Sequence, residues 1–266
     1  MSAPDEVTGA FPVAPIPKAA LVTGGAKRIG RALVLALAED GFAVAIHHHR
    51  SQQEAAALAD EIAGKGVKAV ALAADLADEA AVKRLLPAAE AALGPIGVLV
   101  NNASIFGNDM LGTATRESWD AHMAINLRAP FVLTQEFAAR LPKDAGGAVV
   151  NLIDERVWSL TPYFVSYTLT KSALWTLTRT AALALAPRIR VNGIGPGPTL
   201  PSPRQTTTQF IDRVRAMPLR RGTSPQEVAA ALRFILAAPA MTGQMIALDG
   251  GEHLGWAQSG QMPAIE

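Results

Sequence analysis

The sequence predicts an α/β protein: a single doubly wound domain built on a seven-stranded parallel sheet with helices on both faces. Three observations lead there. From Ala19 onward, short apolar runs alternate with longer stretches of helical periodicity, the pattern of repeated βαβ units. No composition break, linker or further repeat divides that series. Half of the 266 residues are hydrophobic and only 18% are charged, which suits one well-packed core.

The opening seventeen residues hold acids and four prolines, so residues 1–18 are expected to form an extension lying over or off the domain, with no targeting role. The domain, 19–266, opens with a strand at Ala19–Thr23 and a helix at Ile29–Asp40 that Gly41 stops. A strand at Ala43–His47 leads into a helix at Gln52–Ala63, with Gly64 as its stop. Next come strand Ala69–Ala73 with helix Glu79–Ala92, and strand Val98–Asn101 with a long helix at Glu117–Leu141. Strand Ala148–Asp154 precedes a second long helix, Val165–Leu185, which Pro187 follows. Strands Arg190–Ile194 and Gln244–Leu248 flank the last helix, Pro225–Ala238. Both long helices are apolar on more than one face, which suits pairing with another subunit.

Several function classes are excluded at once. A net charge of +1 gives no general attraction to nucleic acid or anionic membrane. Cysteine is absent, which removes disulfides, thiolate catalysis and cysteine metal sites. No apolar run is long enough to span a bilayer, and the expected location is the cytoplasm.

Ligands of doubly wound sheets lie beyond the carboxyl ends of the strands. After the first strand the chain reads TGGAKRIG, Thr23 to Gly30, directly into a helix. Glycines let backbone approach a pyrophosphate, and the helix N-terminus supplies N–H groups and positive potential. After the second strand comes HHHRS, His47 to Ser51. An NAD site usually has a carboxylate there; Arg50 and Ser51, with Lys27 close by, suit a 2′-phosphate instead, so NADP(H) is the expected cofactor. Strand alternation splits the histidines between two faces and no carboxylate lies nearby in sequence, so no metal site is expected and the histidines are assigned to the adenosine end.

Tyr167 and Lys171 are one helical turn apart in YTLTK and share a face. A cation beside a phenol favours the phenolate and lowers its pKa. Together with the glycine turn, this pair resembles the short-chain dehydrogenase/reductase family, over about residues 19 to 251. The resemblance makes Gly24, Lys27, Arg28, Ile29 and Gly30 cofactor-binding, although Arg28 stands where the family has its middle glycine. It makes Asp75 and Leu76 the adenine pair, and Asn102, Ala103 and Ser104 the counterpart of an Asn-Asn-Ala-Gly run. Pro196, Gly197 and Thr199 correspond to the segment that holds the nicotinamide carboxamide. Tyr167 becomes the proton donor or acceptor, Lys171 the ribose ligand that lowers its pKa, and Asn126 a holder of a relay water.

Asp154 stands thirteen places before Tyr167, where the ordinary family member has a serine that donates to a developing oxyanion. An ionised aspartate only accepts and would repel that charge. Ser159 and Ser166 lie too close to Tyr167 to replace the serine. The pattern is similar to the pteridine reductase and dihydromonapterin reductase branch. The matching residues are Arg28, His49-Arg50-Ser51, Asn102-Ala103-Ser104-Ile105-Phe106, and Asp154 with Tyr167 and Lys171. That resemblance implies an NADPH-dependent reductase delivering hydride to a C=N bond of a pterin or dihydropterin, with Tyr167 protonating the nitrogen. Arg28, Ser104, Phe106, Asp154 and Tyr167 would face the substrate, Phe106 by stacking, and residues of about 200–218 would form the substrate lid. Trp158, Leu160 and Tyr163 would line the outer pocket or simply pack. The tail MTGQMIALDGGEHLGW resembles one that joins subunits in homotetramers. Two alternatives remain: an ordinary NADPH-dependent ketone or 3-oxoacyl reductase, and a non-catalytic NADP(H)-binding regulator.

Overall fold

The structure, a computed structural model, describes residues 14–202 and 204–255. Seven strands form one sheet: β1 (Ala19–Val22), β2 (Ala43–His48), β3 (Ala69–Ala73), β4 (Val98–Asn101), β5 (Gly147–Leu152), β6 (Ile189–Pro196) and β7 (Met245–Leu248). All pairings are parallel and the order across the sheet is 3-2-1-4-5-6-7. The chain winds outward from β1 to β3, then returns to the other side of β1 with β4. The winding reverses between β1 and β4, and a crevice opens at their carboxyl ends.

The helices are α1 (Arg28–Glu39), α2 (Gln52–Ala63), α3 (Glu79–Leu93), α4 (Arg116–Met123), α5 (Ala129–Arg140), α6 (Val165–Leu185), α7 (Thr207–Ala216) and α8 (Pro225–Ala237). Successive strand residues alternate between two cores. Ala20, Val22, Val98 and Val100 pack with Leu33 and Leu37 of α1 and Leu232 of α8. Leu21, Leu99 and Val149 pack on the opposite face with Leu86 of α3 and Leu133 and Phe137 of α5. Each fully buried Leu, Val or Ile contributes about 1.5–3 kcal/mol of transfer free energy. Strands buried on both faces explain why the sequence shows continuous apolar runs and little alternation.

The structure departs from the sequence reading at four places. The expected helix over 117–141 is α4 and α5, joined by a π turn at Ala124–Arg128. Pro130 has no N–H to give residue 126, and the ladder widens to i→i+5 just ahead of it. α2 ends at Ala63 with Gly64 as its C-cap, as expected, but Gly64 is right-handed at φ −62° and the left-handed turn comes two residues later, at Gly66 with φ +80°. β5 ends at Leu152, so Asp154 lies beyond the strand and caps a 3₁₀ turn, Glu155–Val157. β6 runs on to Pro196. Finally, α7 occupies the middle of the Leu200–Pro218 stretch, started by a capping box of Thr206 and Gln209.

Of the N-terminal extension, Ala14 to Lys18 are described. Pro15 O accepts from Gly146 N at 3.0 Å and Ile16 packs on the α1 side of the core, so this part lies along the domain. The rest of the extension and Trp256 onward lie outside the described residues. Among the described residues, no helix is long and apolar enough to cross a membrane.

Candidate active site

Side-chain bonds stitch the carboxyl ends of β1 and β4 together at the crevice. Thr23 Oγ1 accepts from the N–H groups of Asn102 and Ala103, both at 3.0 Å. Asn102 Nδ2 donates back to Thr23 O and Gly24 O at 2.8 and 3.0 Å. Gly24 has φ +60°, and a Cβ on Gly30 would stand 2.1 Å from Gly24 O. The glycine turn is therefore folded onto the first turn of α1 with no room for a side chain. The first N–H of α1 to find a helical acceptor is that of Arg31, on Lys27 O at 3.1 Å. The N–H groups ahead of it stand outside the ladder, and no acidic residue lies in that turn. This is a cradle shaped and polarised for a pyrophosphate.

Arg28 has φ +53°, a left-handed conformation that costs a residue with a Cβ roughly 1–2 kcal/mol. The backbone thus keeps the shape that glycine would adopt freely. The guanidinium reaches across the cleft and donates to Leu200 O and Pro201 O, both at 3.3 Å. Arg28 does line the central cavity with Ile29, but here it also ties down the segment that follows β6.

Beyond the glycine turn, a hollow is lined by Gly24, Lys27, His48, His49, Arg50 and Ser51. Arg50 is exposed and makes no ion pair among the described residues. Ser51 precedes α2, yet its hydroxyl makes no capping bond. A free guanidinium and a free hydroxyl at a helix N-terminus suit a phosphate monoester. Lys27 is already paired with Glu54. Asp75 accepts from Ala77 N at 2.9 Å and lies 3.9 Å from His49. Leu76 turns its side chain into the core and lines neither that hollow nor the central cavity.

His47 does not line the adenosine end, as expected, but lies buried beneath the glycine turn. Its Nδ1 accepts from Gly24 N at 3.0 Å, and its Nε2 is 3.2 Å from Ala74 O. That pair of partners requires a neutral ring protonated at Nε2. Burial, above all, depresses its pKa to about 4. Among the described residues, no three histidine, aspartate or glutamate side chains are grouped to hold a metal ion.

At the other end, a cavity of about 230 Å³ is lined by Ser104, Phe106, Asp154, Tyr167 and Lys171, with Pro196, Gly197 and Thr199 on its β6 side. Thr199 Oγ1 donates to Gly197 O at 2.9 Å. The Tyr167 hydroxyl donates to Asp154 Oδ2 at 2.6 Å, and Asp154 Oδ1 accepts from Arg156 N at 3.0 Å. Lys171 donates to Leu152 O at 2.7 Å and is buried. Its ammonium lies 5.6 Å from the Tyr167 ring centroid.

This geometry reverses the expected titration of Tyr167. Burial, then the charge of Asp154 and the bond to it, hold the phenol well above its usual pKa of 10. Lys171 itself is lowered by burial to about 8. Tyr167 is a neutral phenol aimed at a carboxylate, and it keeps its proton.

Asn126 sits in the π turn and is committed to protein partners. Its Oδ1 accepts from Ser104 Oγ and Ile105 N at 3.1 and 2.9 Å, and its Nδ2 donates to Ile105 O and Thr170 Oγ1 at 2.9 and 3.2 Å. It pins the loop after β4 against α6. Phe106 is stacked on buried Phe164 with centroids 4.3 Å apart and meets Tyr167 edge-on at 4.7 Å. Arg156 and Arg204 lie 4.9–5.8 Å from both Phe centroids, which places them beside the ring pair and not beyond either end of it. Trp158 and Leu160 are exposed and do not line the cavity, and Trp158 packs on Trp175 and His253.

Sequence reasoning missed Thr23, Glu155 and Arg213 beside the candidate site, and it misplaced His47. It also missed the buried run in which Asn101 donates to Asn151, and Asn151 to Thr178, at 2.8 and 2.9 Å. That run fixes α6, and with it Tyr167 and Lys171, to the sheet. The only sequence signal was polar residues inside apolar strands.

A Tyr–Lys pair on a helix that borders the crevice of a doubly wound sheet, with a glycine turn at the reversal point, defines a class. Residues 18–210 match the family model for short chain dehydrogenases, and the chain belongs to that family. It is similar to FolM alternative dihydrofolate reductase 1 from Brucella suis, solved with NADP, at 50% identity and a TM-score of 0.88, covering 93% of this chain and 98% of that one. The corresponding Brucella canis protein, also solved with NADP, is 48% identical with a TM-score of 0.86, over 91% of this chain and 96% of that one. A 3-oxoacyl-[acyl-carrier-protein] reductase from Staphylococcus epidermidis is 32% identical over 242 residues, 89% of this chain and 99% of the relative.

Proposed function

We propose that this chain is an NADPH-dependent reductase of a C=N bond in a pterin or dihydropterin, with Tyr167 as proton donor. The observation that carries the reading is the 2.6 Å bond from the Tyr167 phenol to Asp154. It keeps the phenol protonated, the form a donor needs, and aims it from a fixed direction. It also puts an acceptor-only carboxylate where an oxyanion would need a donor, so the site suits a substrate edge rich in N–H groups. The two Brucella relatives support the same substrate class.

The nucleotide end fits NADP(H). The glycine turn and the start of α1 receive the pyrophosphate, and Arg50 and Ser51 receive the 2′-phosphate. When bound, the cofactor supplies the hydride. Lys171 puts a buried cation beside the nicotinamide ribose position, and Asn126 holds the Ser104–Ile105 wall in place. Phe106 gives the cavity an aromatic wall, backed by Phe164, for a flat heterocycle. Leu200, Ser202, Gln205 and Phe210 line that cavity, which supports reading 200–218 as its lid within one domain assigned to 19–266. We extend the proposal to a homotetramer in the cytoplasm; the exposed Leu169 and Leu183 of α6, at 44% and 84%, are apolar surface that such an assembly would cover.

A second reading, 3-oxoacyl reduction, is favoured by the Staphylococcus epidermidis relative, which matches over nearly its whole length. It requires a new donor for the oxyanion in place of the missing serine. NADPH oxidation with dihydrobiopterin, dihydromonapterin and dihydrofolate, beside a 3-oxoacyl thioester and a panel of ketones, separates the two. Turnover of pterins is expected; turnover of the carbonyl compounds alone would sink the proposal.

A further inference from the structure

The outer wall of the cavity includes Gln205 and Phe210, and Phe210 belongs to α7. None of the ten residues of α7 is buried. So short a helix is marginal by itself and normally depends on packing an apolar face. Phe210 and Val214 are only partly buried, so polar contacts share in seating it on the domain, and Arg213 reaches two other segments. The side chain is only 17% exposed. Its Nε and Nη2 donate to the two oxygens of Glu252 at 2.9 and 3.3 Å, and Nη2 also reaches Glu155 Oε1 at 3.4 Å. Glu155 starts the 3₁₀ turn after β5, and Glu252 starts another after β7, at Glu252–Leu254. One guanidinium thus joins three segments far apart in the chain.

The two acids play unequal parts. Glu155 is 2% exposed, and its Oε2 has no hydrogen-bond partner. An ionised carboxylate with a bare buried oxygen is heavily penalised. Burial, then the charges of Asp154 and Glu252, push its pKa up to about 9. Glu155 is therefore a neutral acid near pH 7. Glu252 receives the bidentate fork; burial raises its pKa as well, and the Arg213 charge and hydrogen bonds oppose that rise. Glu155 also follows Asp154 directly, and the Asp154 side chain caps the same 3₁₀ turn. The turn that anchors the lid is the turn that presents the carboxylate to Tyr167.

We propose that Arg213 is a positioning residue of the reductase: clamped by Glu252 and Glu155, it sets the substrate wall at Phe210 and Gln205 and holds the Asp154 turn in register with Tyr167. This rests on the reductive reading above, but not on which substrate is reduced.

The test uses the full chain and three variants: Arg213→Glu, Glu252→Gln, and the charge swap Arg213→Glu with Glu252→Arg. Hydrogen exchange is followed over residues 207–216, KM and kcat are taken from NADPH oxidation, and NADPH affinity is measured by titration. Breaking a buried pair should speed exchange in α7 about tenfold or more and raise the substrate KM by a similar factor. NADPH affinity, set at the far end of the crevice, should stay within about threefold, and the swap should recover most of both losses. A merely structural brace would lower thermal stability and leave KM alone. Unchanged α7 exchange or unchanged KM in a folded variant would overturn the proposal. If Arg213→Glu does not fold, Glu252→Gln decides by the same readouts. If wild type reduces no pterin, that counts against the substrate reading alone, and KM is compared on the carbonyl substrate it does reduce.

Discussion

Asp154→Asn keeps the volume of the side chain and one acceptor oxygen but removes the charge to which Tyr167 donates. The wild-type bond is 2.6 Å long, within the range of charge-assisted O–H···O⁻ bonds. Such bonds contribute about 1.5–3 kcal/mol net. If that energy holds the phenol in its proton-donating position in the transition state, kcat/KM for the pterin falls roughly 10- to 150-fold. The pH dependence moves as well. Asp154 is, after burial, the largest cause holding the Tyr167 proton above pH 10. Without its charge the phenol ionises more readily, so the alkaline limb of the kcat/KM profile shifts towards neutrality. Initial rates of NADPH oxidation across pH check both effects, with NADPH titration to confirm an intact cofactor site. A variant with wild-type kcat/KM and an unmoved alkaline limb would refute the reasoning. Asp154→Ser carries the idea further: pterin turnover should fall while 3-oxoacyl or ketone turnover rises.

Arg50→Ala should weaken NADPH binding about tenfold or more, through loss of a charge-assisted contact, and leave NADH nearly unchanged; equal losses by calorimetry would show that Arg50 does not meet the phosphate. Gly30→Ala puts a Cβ 2.1 Å from Gly24 O, so the glycine turn must shift, at a cost of about 1–3 kcal/mol in stability and with loss of NADPH affinity; a normal melting temperature with normal binding would contradict the close packing. His47 is neutral in the fold, with a pKa of about 4 against an ordinary 6.5, so the unfolded chain binds the extra proton between those values. Stability should fall by about 1.5 kcal/mol as pH drops from 6.5 to 5, and His47→Gln should flatten that slope in denaturant titrations. Glu155 has the opposite sign: it stays protonated up to about pH 9 in the fold but ionises near 4.5 when unfolded. Its contribution is complete below pH 4.5 and declines as pH rises towards 9, and Glu155→Gln should remove that decline.

Much of the fold and site was legible because it depends on local chemistry. Apolar runs and helical periods located the seven strands, and the glycine turn, Arg50-Ser51, the Tyr–Lys pair and Asp154 were visible as residues out of place in an ordinary βα series. The π turn at 124–128 was not legible, since Pro130 in a helical pattern shows that the ladder must adjust but not in which direction. The stacking partner of Phe106 was hidden too: Phe164 lies 58 residues away and meets it only because α6 starts beside the loop after β4.

The sequence by itself determined the class of fold, the place of the crevice, and the residue types gathered there, because strand and helix periods and glycine turns are written in neighbouring residues. Only the tertiary structure decided the charge states. Sequence spacing put a cation beside Tyr167 and suggested a lowered pKa, whereas the folded site brings Asp154 to 2.6 Å and buries the phenol, so its pKa rises. Likewise His47 became a neutral brace and Glu155 a protonated acid because of what the fold packs around them. Desolvation and pairing act through space, and no spacing along the chain encodes them.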